Sequence, residues 1–182
     1  MKKLHGLIIL ICCITFSCER DDICTLDTVT TPRLTISFLS IENPEQQNPR
    51  NVGKCRVQGI GVADDETLPD LDGTRDKQVI LLPLKTTENS TQYSIYKNYK
   101  LNNNNTPENP DDDFVTGNED IITISYVTEE VYVSRACGFK TVFKNISVTV
   151  EDDGNKWIKI IQSVNDNQII ENEYTTNYNI YH

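Results

Sequence analysis

Beyond an apolar N-terminal run, the chain is a series of short stretches in which apolar and polar residues alternate, separated by clusters of Asn, Asp, Gly and Pro. Leu34, Ile36 and Phe38 alternate with Thr35 and Ser37, the period-two signature of a half-buried strand. Residues 56–62, 79–84 and 92–96 predict three more strands. Ile122, Ile124 and Tyr126 alternate with Thr123 and Ser125, and Val131 and Val133 resume the pattern after a turn expected at Glu129-Glu130. Ile146, Val148 and Val150 predict a further strand, and Asp152-Asp153-Gly154-Asn155 predicts a hairpin leading into residues 157–161. No segment shows a helical period. The expectation is an all-β chain folded as an antiparallel β-sandwich of about seven or eight strands, with a small β-barrel as the alternative. One domain, residues 32–182, accounts for all of these stretches. Residues 100–120, rich in Asn and Asp, lack the apolar surface to pack and predict a mobile acidic loop. Residues 43–50 and 64–76 read as shorter loops of the same kind.

The N-terminal run changes the picture from fold to address. Lys2 and Lys3 precede an apolar stretch from Leu7 to Ile14, which contains Cys12 and Cys13. Spanning a bilayer takes about 20 apolar residues, so the run is too short for a mature membrane helix and reads as a signal peptide over residues 1–17. Thr15-Phe16-Ser17-Cys18 then places a small residue before a cysteine, which resembles a relaxed lipobox. Cys18 is the expected lipid attachment residue, and two or more acyl chains suffice for stable anchoring. The polar sequence Glu19-Arg20-Asp21-Asp22 follows at once, as a tether over residues 18–31 requires. The expected location is the cell envelope, anchored in the outer membrane, with the membrane as partner through the lipid.

Removing 17 of the 182 residues leaves 165, enough for one domain with a sizeable core. Lys2 and Lys3 leave with the signal, so 15 basic residues face 27 acidic ones, a net charge of −12. Such a domain repels nucleic acid and anionic surfaces, so no nucleic-acid partner is expected. With Cys18 assigned to lipid, Cys24, Cys55 and Cys137 remain, which allows one disulfide and one free thiol. None stands in a Cys-x-x-Cys pair, so neither a redox motif nor a zinc site is indicated.

Three segments, Cys18-Glu19-Arg20-Asp21-Asp22-Ile23-Cys24, Thr31-Pro32-Arg33-Leu34 and Val133-Ser134-Arg135-Ala136-Cys137-Gly138-Phe139-Lys140, together with the Ile180-Tyr181-His182 end, resemble an uncharacterised family of Bacteroidota envelope lipoproteins. That family has no assigned activity. The resemblance implies a disulfide between Cys24 and Cys137, which lie inside its motifs, and leaves Cys55 as the spare thiol. It also makes Glu19, Arg20, Asp21 and Asp22 similar to the acidic surface-export signals of such lipoproteins, and Asp27-Thr28-Val29 similar to their O-glycosylation sequon.

Candidate chemistry is sparse. A serine or cysteine nucleophile normally works with histidine, yet His5 leaves with the signal and His182 is the last residue. Paired carboxylates could serve as acid and base, but 27 acidic residues make any single pair uninformative. Asp70-Leu71-Asp72-Gly73 resembles part of a calcium loop, but Leu68 and Val79 fall where ligands are needed, so an acidic loop is the better reading. Asp111-Asp112-Asp113 reads as a solvated loop, and no metal or cofactor is expected. Tyr93, Tyr96, Tyr99 and Trp157 could form a sugar platform, although period-two alternation puts Tyr93 and Tyr96 on opposite faces. Arg135 falls in a strand-like run where a charge needs a partner, either a structural ion pair or a carboxylate ligand. Arg135 and Trp157 are therefore the candidate binding residues. The expected function is a non-enzymatic, lipid-anchored interaction or accessory protein with an envelope protein partner; alternatives are a surface glycan-binding protein and, less favoured, a carboxylate-dependent hydrolase.

Overall fold

A computed structural model describes Cys24 and residues 31–63, 66–166 and 168–182. The signal peptide, Cys18, the Glu19-Arg20-Asp21-Asp22 signal and the Asp27-Thr28-Val29 sequon lie outside the described residues. The chain forms β1 (Leu34–Leu39), β2 (Arg56–Gly59), β3 (Val79–Leu82), β4 (Ser90–Asn102), β5 (Phe114–Ser134), β6 (Gly138–Val150), β7 (Ile160–Ser163) and β8 (Tyr178–Tyr181), the last of which no alternating stretch predicts. They make two open four-stranded sheets, ordered β3-β1-β8-β7 and β2-β4-β5-β6, a sandwich and not a closed barrel. Every ladder is antiparallel except that of β1 with β8, which is parallel.

One hydrophobic cluster joins the two sheets, with Leu34, Ile36, Phe38, Val57, Ile95, Ile122, Ile124, Phe143 and Ile180 fully buried. Each such side chain contributes about 1.5–3 kcal/mol by leaving water. The alternation of β1 predicts a polar face in solvent, but that face is covered too. Thr35 donates through Oγ1 to the Glu173 carbonyl at 3.3 Å, and Ser37 Oγ pairs with Thr176 Oγ1 at 2.8 Å. The segment before β8 thus roofs the outer face of β1.

Four sequence expectations are corrected. Residues 100–120 are loop only over 103–113: β4 continues to Asn102 and β5 begins at Phe114, with Lys100, Leu101 and Asn102 paired to Thr116, Val115 and Phe114. A ladder needs main-chain groups, not apolar side chains, so polar composition does not prevent it. The connection that remains, 103–113, contains a 3-10 turn (Pro110–Asp112) and is tied by Thr106 Oγ1 to the Asp112 carboxylate at 2.8 Å. Glu129-Glu130 is not a turn, because β5 runs through it as exposed strand; Glu129 pairs with Val142 and forms an ion pair with Lys144. The reversal comes at Arg135–Cys137, so Arg135 is an exposed turn residue and not a strand charge in need of a partner. Finally, Asp152–Asn155 is no hairpin, since β7 pairs with β8 in the other sheet. The Asp120 carboxylate accepts from the backbone N–H groups of Trp157 (3.3 Å) and Ile158 (2.7 Å), which carries the chain across the core.

Candidate functional site

A concavity with a clear chemical character lies on the outer face of the β2-β4-β5-β6 sheet. Tyr96 on β4 stands opposite Arg56 on β2 and Glu119 on β5. Strict alternation would send Tyr99 to the other face. A register shift between Lys97 and Lys100, with Asn98 at φ +58°, instead brings Tyr99 beside Tyr96, their rings 5.5 Å apart and edge to face. The bulge needs Gly117, at φ +122°, because a Cβ there would sit 2.9 Å from the carbonyl oxygens of Lys97 and Asn98. Gly73 likewise lets Tyr99 lie close, since a Cβ on it would meet the Tyr99 ring.

Arg56, Gln58, Tyr96, Tyr99, Leu101, Asp113 and Val115 line a groove of about 650 Å³. The Arg56 guanidinium sits 4.7 Å above the Tyr99 ring centroid and donates to Gln58 Oε1 at 3.3 Å. Burial, with the Glu119 carboxylate next to it, pushes the Tyr96 hydroxyl up to about 12, so it stays neutral and able to donate. Asp113 has a buried Oδ1 with no hydrogen-bond partner among the described residues. The groove therefore combines two aromatic rings, a cation, an amide and a carboxylate oxygen that a donor from outside the described chain could satisfy. A second concavity of about 330 Å³ is apolar, lined chiefly by Ile60, Val62, Leu68, Pro83, Leu84 and Tyr93.

The sequence-derived candidates are placed differently. Trp157 is only 4% exposed, donates from Nε1 to the Ile95 carbonyl at 3.2 Å and packs on Phe38 and His182. It is a core residue and belongs to no sugar platform. Arg135 is exposed at the hairpin turn and forms no ion pair among the described residues. Cys24 is bonded to Cys137, with Cα atoms 5.0 Å apart, while burial pushes the free Cys55 thiol up to about 12 and leaves it unreactive. Asp72 is occupied by its own turn, accepting from the N–H and hydroxyl of Thr74. Sequence reasoning names Tyr96 and Tyr99 for a sugar platform and Asp113 within an acidic loop, but it neither singles out Arg56 nor brings these residues together; the Asn98 and Gly117 pair flanking the bulge is the signal that carries their arrangement.

The match to known proteins is one of family. The description "Family of unknown function (DUF6452)" applies to residues 55–182, and the chain belongs to that family. No curated protein and no solved structure matches the chain.

Proposed function

We propose that this member of a family of unknown function is a non-enzymatic binding module of the cell envelope, held to the outer membrane through a lipid on Cys18 and taking a glycan in the Tyr96–Tyr99 groove. The observation that carries the glycan reading is the groove itself. The Tyr96 ring suits the C–H face of a pyranose, with the Tyr99 ring, capped by Arg56, set edge to face beside it. Arg56, Gln58 and Asp113 supply donors and acceptors for its hydroxyl or carboxylate groups. The volume, about 650 Å³, lies in the range of small-molecule sites. The anchor rests on the lipobox-like Thr15-Phe16-Ser17-Cys18 and on the signal-like run before it.

Screening the full-length protein against neutral and acidic glycans tests the reading. A bound glycan is expected, and Tyr99→Ala should weaken it by at least about tenfold, or 1.4 kcal/mol, while Tyr174→Ala leaves it unchanged. Equal binding by all three proteins would place the ligand elsewhere. For the anchor, Cys18→Ala is expected to accumulate as precursor without incorporating labelled palmitate; normal processing and membrane retention of that variant would contradict it.

The apolar groove beside Ile60 and Leu84 favours a second reading, an envelope protein partner. Cross-linking in intact cells through a photoreactive residue at position 60 tests that reading, and labelling of lipid or of nothing there would count against it.

A further inference from the structure

Among the described residues, the three most exposed large hydrophobic side chains belong to one end of the sandwich: Tyr132 is 59% exposed, Phe139 65% and Tyr174 85%. Tyr132 and Phe139 face each other across the β5–β6 hairpin, rings 5.4 Å apart. Tyr174 follows Glu173, whose carboxylate is gripped by the Arg33 side chain at 2.8 and 2.6 Å just before β1. Lys140, next to Phe139, donates to the Glu171 carbonyl at 3.2 Å, which joins the two groups.

The tether enters at this same end. Cys24 is bonded to Cys137 in the hairpin turn, and the Thr141 N–H donates to Thr31 Oγ1 at 3.2 Å. Cys24 lies six residues beyond Cys18, so Cys137 in the hairpin turn is no farther than about 27 Å from the lipidated residue, six residues at up to about 3.6 Å each plus the 5.0 Å across the disulfide. The charge at the tip is also opposite to that of the whole. The chain carries −10, yet the charged side chains of the hairpin tip itself, residues 131–141, are Arg135 and Lys140, both basic, and beside Tyr174 the Glu173 carboxylate is paired with Arg33, leaving Glu171 as the acidic neighbour.

We propose that the tip of the β5–β6 hairpin, with Tyr132, Phe139 and Tyr174, docks on the phospholipid bilayer that holds Cys18; this inference rests on the lipid anchor proposed above. Aromatic rings with a polar edge settle at the bilayer–water boundary, and basic side chains beside them meet headgroup phosphates. The disulfide converts a loose tether into a fixed orientation, tip toward the membrane.

Trp157 is the chain's one tryptophan and is buried, so an added tryptophan reports cleanly. Full-length Phe139→Trp and Tyr132→Trp, purified from membranes, are reconstituted in phosphatidylethanolamine–phosphatidylglycerol vesicles containing brominated phospholipid, with Leu101→Trp at the far end of β4 as control. Intact mass reports the acyl chains. Bromolipid is expected to lower the added emission about twofold or more at positions 139 and 132, and not at 101. Acylated protein with unquenched emission at 139 and 132 overturns the docking alone. A blue shift without quenching overturns it too, in favour of a second protein surface on the tip. Absence of acyl mass removes the anchor and the docking together.

Discussion

Asp120 and His182 are buried ionisable residues whose solutions to burial differ in sign. Asp120 keeps two backbone N–H donors, from Ile158 and Trp157, yet burial holds its carboxyl above the usual value. His182 is 5% exposed among Phe38 and Trp157, its Nδ1 is 3.1 Å from Lys97 Nζ, and its Nε2 has no hydrogen-bond partner among the described residues. Burial first, then the Lys97 ammonium, lowers it from 6.5 to about 4, partly opposed by the backbone of Arg50. The unfolded chain takes up a proton near pH 6.5 that the folded chain refuses until about pH 4. Stability is therefore fully present above about pH 6.5 and falls between there and about 4, by up to about 3 kcal/mol. Asp120 acts oppositely, since acidification through its raised pKa favours the fold, and replacing His182 leaves that contribution in place. Urea unfolding at pH 7 and pH 4.5 should show the loss in the natural chain and a much smaller one in His182→Gln; an equal loss in both would assign it to other groups. None of this is legible from the sequence, where a histidine at the last position looks free.

At the scale of elements, alternation identified strands wherever one face meets the core and failed where neighbours or main chain decide. The apolar positions of β1, β5 and β6 are read correctly because Ile36, Ile122, Ile124 and Ile146 are core residues. β8 goes unseen as Tyr-Asn-Ile-Tyr, because its polar Asn179 is buried between β1 and β7. The ends of β4 and β5 pair through Asn, Lys and Thr, which composition reads as loop. The groove was legible only in part: the sequence offers Tyr96 and Tyr99 as sugar-platform residues, but their shared face depends on a bulge, and a bulge breaks the period that sequence reading relies on. Gly117→Ala tests that dependence. A Cβ at φ +122° against two carbonyl oxygens should cost about 1–3 kcal/mol and displace Tyr99 from Tyr96. Lower thermal stability together with weakened glycan binding is expected; full affinity in a destabilised variant would show that the bulge shapes the fold but not the site.

For the whole molecule, the two ends have different tasks. The disulfide and the exposed aromatics gather where the tether enters, while the groove sits where β4 and β5 close at Asn102 and Phe114. Thr116 and Ser134 are separated by up to about 60 Å along β5, taking 3.3 Å per residue. The anchor proposed above, at one end, would present the groove away from the membrane, and net negative charge disfavours contact of the remaining surface with anionic lipid. The sequence allowed the anchor and the sandwich to be expected, but not this polarity, which follows from where Cys24 and Cys137 meet. The most direct measurement is a map of backbone amide shifts as the glycan found by screening is added. The account predicts shifts at Arg56, Gln58, Tyr96, Tyr99 and Val115, with residues 132–139 unmoved. Shifts confined to Ile60, Leu68 and Leu84, or to the hairpin tip, would contradict it.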